Sequence, residues 1–237
     1  MRAPENSADL QTIADIECFQ LDVTDVDSIK NAIDATLEKF GRIDAIVNNA
    51  GYGLVGAFEA STEEQIEKQF QTNVFGVMRV CREILPYFRE QKRGIIINVA
   101  SVGGRITFPL YSLYHATKWA VEGFSESLQY EVKKFGVKIK IIEPGPIKTD
   151  FYDRSLDLTR KDGLTVYDEL IEQVMPNMQK AGTDAPGGAV VAETIYNAVT
   201  DDSWKLRYPV NTKGILTARK LLPDNLFFGV VRKAILK

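Results

Sequence analysis

The sequence has few of the residues that build disulfide frameworks, metal sites and membrane spans. Its 237 residues include two cysteines, Cys18 and Cys81, and one histidine. The cysteines lie far apart and outside any Cys-x-x-Cys or zinc-binding spacing, so we predict neither a disulfide framework nor a metal site, and a reducing cytoplasm fits best. The polar N-terminal residues, and the lack of an apolar run near the roughly 18 residues of a membrane span, disfavour secretion and membrane insertion.

The charge balance disfavours nucleic acid as a partner. Lys plus Arg total 29 and Asp plus Glu total 32, so the net charge is -3 and no positive field surrounds the molecule. The tail from Asn211 to Lys237 departs from this balance, because it has six Lys or Arg, one acidic residue, Asp224, and several large apolar residues. We interpret the tail as a final helix that packs on the core or on another subunit. Contact with a membrane surface is the alternative.

The composition predicts one domain over residues 1–237. The chain is 45% hydrophobic and 26% charged, which is enough apolar material for one large core. Short apolar runs alternate with longer segments of helical period, an order typical of an α/β protein with a parallel sheet. The predicted strands are Glu17–Asp22, Ala45–Asn48, Gly94–Val99, Val137–Glu143 and Lys205–Pro209.

Four helices are predicted between these strands, and a lid is predicted after the fourth strand. The helices run from Val26 to Phe40, from Ser61 to Phe88 with a bend at Pro86, from Tyr111 to Phe135 and from Val190 to Val199. Residues 144–188 contain several prolines and glycines, which is typical of a loop. Within this loop, residues at helical spacing predict an amphipathic lid helix: Val166, Leu170, Ile171, Val174 and Met178.

Two Tyr-x-x-x-Lys pairs lie on the third predicted helix, Tyr114 with Lys118 and Tyr130 with Lys134. Residues four apart share one face of a helix, but a Tyr-x-x-x-Lys match is expected by chance roughly once in every two such chains, so the spacing alone means little. At about 100 degrees per residue the two pairs point in nearly opposite directions, and only one of them can face the sheet. His115, within the turn from Tyr114 to Lys118, is given no role, because it points elsewhere on the helix.

Ser101 favours the first pair. It lies just past the predicted strand Gly94–Val99, at the carboxyl edge where open α/β sheets bind ligands. Residues 48–51, Asn-Asn-Ala-Gly, end another strand, and Asn73 lies inside the second helix, where asparagine is locally unfavourable. Together these residues predict an active site at the carboxyl edge of the sheet.

These motifs resemble the short-chain dehydrogenase/reductase family, from Ala3 to about Pro209. The matching residues are Leu21-Asp22-Val23, Asn49-Ala50-Gly51, Asn73 to Gly76, Ser101, Tyr114-x-x-x-Lys118 and Pro144 to Thr149. The resemblance implies a Rossmann-like, doubly wound parallel sheet. The stretch from Asn48 to Gly56, the lid and the segment Leu206 to Pro209 look most like the retinol and hydroxysteroid dehydrogenases.

The resemblance implies an NAD(P)(H)-dependent oxidoreductase that interconverts an alcohol and a carbonyl. Tyr114 would be the general acid or base, Lys118 would favour its phenolate and hold the ribose, Ser101 would bind the substrate oxygen, and Asn73 would position a water. The implied cofactor-binding residues are Arg2, Asp22, Val23, Asn49, Ala50, Gly51, Tyr114, Lys118, Pro144, Gly145, Ile147 and Thr149.

The resemblance also bears on cofactor, substrate and assembly. Arg2 aligns with the end of the family's second strand, where an arginine favours the 2'-phosphate of NADP, so NADP(H) is expected rather than NAD(H). The apolar lid predicts a small apolar or lipid-like alcohol or carbonyl as substrate. The family resemblance implies a homodimer or homotetramer formed through the second and third helices.

The family's first two strands, first helix and glycine-rich turn have no counterpart in the sequence, which predicts an N-terminally truncated sheet. That turn and the helix behind it normally bind the cofactor pyrophosphate. A non-catalytic remnant that serves as a binding or oligomerisation module is therefore the alternative function. A sugar-nucleotide epimerase is disfavoured, because the segment after Pro144 is too short for its substrate domain.

Overall fold

The computed structural model describes residues 2–4, 10, 12–149, 156–212 and 214–236. The strands are β1 (Ala45–Asn48), β2 (Gly53–Val55), β3 (Gly94–Val99), β4 (Val137–Pro144), β5 (Leu156–Leu158) and β6 (Arg207–Val210). Four of them form a parallel sheet in the order β1-β3-β4-β6. All four parallel carboxyl ends therefore meet at one edge, where an α/β sheet binds its ligands.

The helices are α1 (Val26–Phe40), α2 (Glu63–Phe70), α3 (Gly76–Gln91), α4 (Ser112–Val132), α5 (Asp168–Thr183), α6 (Ala189–Thr200), α7 (Ile215–Leu221) and α8 (Asp224–Ile235). One face of the sheet packs against α3 and α4, with Cys81, Phe88 and Val121 in the core. The other face packs against α6, whose Ala198 is fully buried. Because both faces are covered, the central strand β3 is a nearly continuous apolar run, a pattern typical of parallel strands.

Four of the five predicted strands are confirmed, and the predicted strand Glu17–Asp22 is wrong. The structure gives this segment no regular secondary structure and describes no strand beside the outer edge of β1. It contacts the helix Val26–Phe40 instead, since Glu17 pairs with Lys39 at 3.0 Å. A strand needs a neighbour to accept and donate its backbone hydrogen bonds, and an apolar run alone does not supply one.

The first predicted helix is confirmed, and it is capped at both ends. The Asp25 carboxylate accepts hydrogen bonds from the backbone N–H groups of Asp27 and Ser28 at the N-terminus of α1. Gly41 ends the helix with a φ of 75°, a left-handed conformation that glycine adopts without steric cost. Capping thus fixes where α1 begins and ends.

The second predicted helix is interrupted. It begins with the expected capping box, in which Thr62 and Gln65 exchange hydrogen bonds of 3.2 Å. At residues 71–75 it widens into a π-helical turn, where the Gly76 N–H donates to the Gln71 carbonyl, before continuing as α3. Pro86 lies inside α3. A π-helical turn inside an α-helix frequently marks a functional position, and here it contains Asn73.

The lid segment is tied to the body by a small second sheet, which the sequence pattern does not predict. Strands β2 and β5 pair in parallel, and the Thr159 hydroxyl donates to the Ala57 carbonyl at 3.0 Å. The predicted lid helix is α5, with Val174 completely buried. Val166 lies before the helix and is 79% exposed, so it does not belong to the apolar face of the lid.

The C-terminal tail forms α7 and α8. One stripe of α8, consisting of Phe227, Val231 and Ile235, is buried in the cluster that also holds Val174 of α5. The tail therefore packs on the lid helix, as the interpretation of a core-covering final segment predicts. Within the described part of the chain, no helix has the length and apolar character to cross a membrane.

Candidate active site

A cleft of about 620 Å³ lies at the carboxyl edge of the sheet. Many of the residues predicted for a site line it: Asn49, Gly51, Ser101, Tyr114, Lys118, Pro144, Gly145, Ile147 and Thr149. They come from the ends of β1, β3 and β4 and from the first turns of α4. The structure thus brings together residues that are up to a hundred positions apart in the sequence.

Tyr114 and Lys118 lie one turn apart on α4 and both face the cleft. The Lys118 Nζ is 5.7 Å from the centre of the Tyr114 ring and donates a 2.9 Å hydrogen bond to the Val99 carbonyl at the end of β3. Burial lowers the pKa of Lys118 to about 8, although the charge of Glu122 acts in the opposite direction. The site therefore holds a buried ammonium beside a phenol.

Ser101 lies opposite this pair, in the loop that follows β3. Its hydroxyl accepts a 3.0 Å hydrogen bond from the Gly103 N–H and donates a 3.3 Å bond to the Pro144 carbonyl. The longer bond is the weaker of the two. The hydroxyl can therefore turn toward another acceptor in the cleft while the bond from Gly103 keeps its oxygen in place.

Two glycines let α4 approach this loop closely. A Cβ atom on Gly103 would lie 2.6 Å from the His115 ring, and one on Gly104 would lie 2.9 Å from the Lys118 carbonyl oxygen. Real Cβ atoms do not approach other atoms so closely, so a side chain at either position would push α4 away from the sheet. The small residues after Ser101 thus set the distance between the serine and the Tyr114–Lys118 pair.

Asn73 lies behind the cleft wall. Its amide accepts from the Tyr52 N–H at 3.1 Å and donates to the Tyr52 carbonyl at 2.8 Å and to the Thr117 hydroxyl at 3.2 Å. A Cβ atom on Gly51 would lie 3.1 Å from the Asn73 Oδ1 and 3.9 Å from the Lys118 Nζ. Asn73 therefore fixes the loop after β1 against α4, and its expected role in positioning a water stays a prediction.

A group of buried charges lies one turn beyond Lys118. Glu122 and Glu143 are almost completely buried, and Arg207 lies 3.0 Å from Glu122 and 3.4 Å from Glu143. Burial and the nearby Glu143 raise the pKa of Glu122, Arg207 lowers it, and the net result is a pKa of about 7. Arg105 pairs with Glu143 at 3.0 Å. These pairs hold α4 onto β4 and β6 below the site.

The competing pair, Tyr130 with Lys134, lies away from this cleft. Tyr130 is 74% exposed. Tyr114, by contrast, lies in the cleft with Ser101 and the loop after β4. Tyr114, and not Tyr130, therefore lines the same cleft as Ser101, and its catalytic role stays a prediction.

Three of the residues expected to bind the cofactor, Arg2, Asp22 and Val23, do not line the cleft. Asp22 accepts hydrogen bonds from the Thr24 N–H and hydroxyl, which hold its pKa below the usual range. Val23 packs where Gly76 begins α3, since a Cβ on that glycine would lie 2.7 Å from a Val23 methyl. Arg2 is exposed, and its charge also lowers the pKa of Asp22. Ala50 lies next to Gly51 but outside the cleft lining.

Sequence reasoning missed much of the apolar lining of the cleft. The missed residues include Val47, Tyr52, Phe108, Tyr111, His115, Val191, Ala192 and Ile195. A signal was present for Tyr52, which directly follows the Asn-Asn-Ala-Gly run. The residues on α6 reach the cleft only through the packing of that helix on the sheet, which no local pattern indicates.

A family model described as short chain dehydrogenase matches residues 2–158. An uncharacterised oxidoreductase of Schizosaccharomyces pombe is 40% identical over 235 residues, covering 98% of this chain and 98% of its own length. A 3-ketodihydrosphingosine reductase of Bacteroides thetaiotaomicron is 41% identical over 143 residues, covering 60% of this chain and 53% of that enzyme.

Solved structures of dehydrogenases are also similar to this chain. A short-chain dehydrogenase from Streptomyces avermitilis superposes with a TM-score of 0.80 at 32% identity, covering 98% of this chain and 85% of that one. ElxO with NADP bound superposes with a TM-score of 0.66 at 27% identity, covering 88% of this chain and 82% of that one.

These matches do not support the expected N-terminal truncation, because the Schizosaccharomyces pombe relative aligns over almost its whole length. They also do not favour the alternative of a non-catalytic module, since the relatives of this chain are oxidoreductases.

Proposed function

The chain belongs to the short-chain dehydrogenase family and is an oxidoreductase, and we propose that it interconverts an apolar alcohol and its carbonyl with NADP(H). One observation carries this proposal: Ser101, Tyr114 and Lys118 line a single cleft at the carboxyl edge of the sheet. A phenol, a buried ammonium and a hydroxyl that can turn are the groups that proton transfer to a carbonyl oxygen requires.

The cleft fits the nicotinamide end of a cofactor. Gly51 leaves space beside the Lys118 ammonium that a Cβ would fill, at 3.9 Å from the Nζ. Asn49, Ile147 and Thr149 line the same cleft, and they supply amide, apolar and hydroxyl contacts for a ribose and a carboxamide. The cofactor, when bound, supplies or accepts the hydride.

Residues of the chain donate and accept the proton of the reaction. During reduction the Tyr114 hydroxyl donates its proton to the carbonyl oxygen, and during oxidation the phenolate accepts one. The Lys118 ammonium, 5.7 Å from the ring, favours the phenolate by its charge. The Ser101 hydroxyl, released from its long bond to Pro144, donates a hydrogen bond to the same substrate oxygen and so orients it.

Replacing Tyr114 by Phe removes the transferable proton and leaves the ring in place. We expect the rate of carbonyl reduction to fall by about 10²- to 10⁴-fold, the usual contribution of a general acid. The dissociation constant for NADPH, measured by fluorescence titration, should change little. Tyr130→Phe is the matched control, because it makes the same change on the same helix at an exposed position. Equal loss of activity in the two variants would contradict the assignment.

The preference for NADP(H) rests on Arg2. A guanidinium forms a bidentate contact with a phosphate, and the exposed Arg2 near Asp22 is a donor for a 2'-phosphate. We expect NADPH to give a higher kcat/KM than NADH. Arg2→Ala should raise the KM for NADPH about tenfold, the cost of one charge-assisted contact, and leave the KM for NADH unchanged. Equal efficiency of the wild type with both cofactors would overturn this preference.

The substrate end of the cleft is apolar. Phe108, Tyr111, Met178, Val191 and Ile195 line it. Phe108 and Tyr111 share one apolar cluster with Val174 and Met178 of the lid helix. The Bacteroides relative, which by its name reduces a long-chain ketone, supports a lipid-like substrate of the kind also expected for the retinol and hydroxysteroid branch.

A carbonyl panel tests the substrate class. We expect retinal, a ketosteroid or decanal to be reduced with a higher kcat/KM than polar keto sugars, because an apolar cleft offers a sugar few partners for its hydroxyl groups. Met178→Lys should lower this preference by placing a charge at the apolar wall. Faster reduction of the sugars by the wild type would refute an apolar substrate.

A second copy of the chain is the proposed partner. A groove of about 620 Å³ runs between α3 and α4 and is lined by Phe75, Met78, Leu85, Phe124 and Leu128. Phe75 is 44% exposed, and Trp119 on α4 is 47% exposed. Exposed apolar surface of this kind on two adjacent helices marks an interface, and the expected dimer or tetramer uses the same helices.

Light scattering after size exclusion tests the assembly. We expect the wild type to be a dimer or tetramer at micromolar concentration and Met78→Glu to be a monomer, because the new charge would be buried at the interface. Leu221→Glu is the control, since Leu221 is 73% exposed on α7. A monomeric wild type, or an unchanged mass for Met78→Glu, would exclude this interface.

A further inference from the structure

The single histidine of the chain lies in the wall of the cleft. His115 is next to Tyr114 on α4 and is 3% exposed. Its ring lies 5.5 to 6.0 Å, centre to centre, from the rings of Phe108, Tyr111 and Tyr114. A histidine in the wall of an active site is a candidate general acid or base. It can act as one only if a ring nitrogen is free to gain or lose a proton.

The hydrogen bonds of His115 fix its tautomer. The Phe108 N–H donates to the ring Nε2 at 2.9 Å, and the ring Nδ1 lies 2.9 Å from the Gly103 carbonyl oxygen. A backbone N–H can only donate and a carbonyl can only accept. The Nε2 must therefore be without a proton, and the Nδ1 must carry one. Both ring nitrogens are thus committed to the backbone, and the imidazole is neutral.

These two bonds span the loop between Ser101 and α4. Gly103 lies two residues after Ser101, whose hydroxyl accepts from the Gly103 N–H. Phe108 lines the apolar end of the cleft. One ring therefore holds both the serine turn and an apolar wall residue against the helix that carries Tyr114.

We propose that His115 is a positioning residue, a permanently neutral imidazole that holds the loop from Gly103 to Phe108 in the shape that receives the substrate. This inference rests on the proposed function of the cleft. It assigns His115 no proton transfer, because both ring nitrogens are occupied. Loss of the ring bonds would leave a partly buried N–H and a buried carbonyl without these partners and would free the wall of the pocket.

The surroundings keep the ring neutral. Burial lowers the pKa of His115 to about 4, although the bond to Gly103 acts in the opposite direction. From its own helix the ring faces the phenols of Tyr111 and Tyr114, and Lys118 lies one turn further on. The charged residue of the packed loop, Arg105, is paired with Glu143. A protonated Nε2 could no longer accept from the Phe108 N–H, so the loop bond persists above the pKa and is lost below it.

Nitrogen NMR of protein labelled with ¹⁵N-histidine, free of any affinity tag, tests the tautomer without a substrate. One histidine gives one ring, so no assignment is needed. We expect a protonated Nδ1 and an unprotonated Nε2, unchanged from pH 5.5 to 8. Titration with a midpoint near 6.5, or a proton on Nε2, would overturn the proposal.

His115→Phe tests the positioning role, because it keeps an aromatic ring and removes both bonds. We expect hydrogen exchange of the backbone amides of residues 103–108 to become faster. The KM for decanal should rise about tenfold, because two hydrogen bonds are lost, while kcat should change less. The pH profile of the reaction should stay unchanged. His115→Gln, whose amide can replace the bond to Phe108, should lie between Phe and wild type.

Ser125→Ala is the control for a purely structural loss. Ser125 is buried on the same helix, and its hydroxyl accepts from Asn98 and donates to Val121. It should lower the melting temperature without changing the KM for decanal. A His115→Phe variant with unchanged exchange in residues 103–108 would refute the proposal. If the wild type reduces no carbonyl, the proposed function fails, while the NMR and exchange results still decide the role of His115.

Discussion

The active site depends on one buried ammonium group. Lys118 is almost completely buried, and its Nζ bonds to the Val99 carbonyl at the end of β3. Removing a cation from water is costly unless it gains close partners, so α4 must be held tightly against the sheet edge. Gly51 and Gly104 permit that approach, because a side chain at either position would meet the groups around Lys118.

Because the Lys118 ammonium is buried, the chemistry of the cleft depends on how α4 packs against the sheet. The charge of Glu122, one turn away, partly offsets the cost of burying the lysine, and Arg207 from β6 in turn pairs with Glu122. The same helix presents Tyr114 to the cleft and His115 to the loop after Ser101. The polar half of the site is therefore built on α4 and the sheet edge, while the apolar half comes from the loop before α4 and from α5 and α6.

The sequence contained enough to predict much of this arrangement. Runs of isoleucine identify β3 and β4, and capping residues at Asp25 and Gly41 locate α1, because these signals are local. The residues of the cleft could be grouped because the carboxyl ends of parallel strands share one edge. The positions of Ser101 and Tyr114 follow from that rule.

The sequence-based predictions that failed concern contacts between segments that are separate in the sequence. The run from Glu17 to Asp22 has strand composition, but no described strand pairs with it, and pairing cannot be deduced from composition. The pairing of β2 with β5 joins segments about a hundred residues apart. The pattern of its own helix assigns His115 no role, whereas its partners, Gly103 and Phe108, belong to the preceding loop.

The most direct test of the buried ammonium is the pH dependence of kcat/KM for carbonyl reduction. Because the pKa of Lys118 is lowered to about 8, the ammonium is present below that pH and lost above it. The account predicts a kcat/KM that is flat below pH 8 and falls about tenfold per pH unit above it. The residual activity of Lys118→Met should show no such fall. A wild-type profile that stays flat to pH 10, or a fall retained in Lys118→Met, would contradict the account.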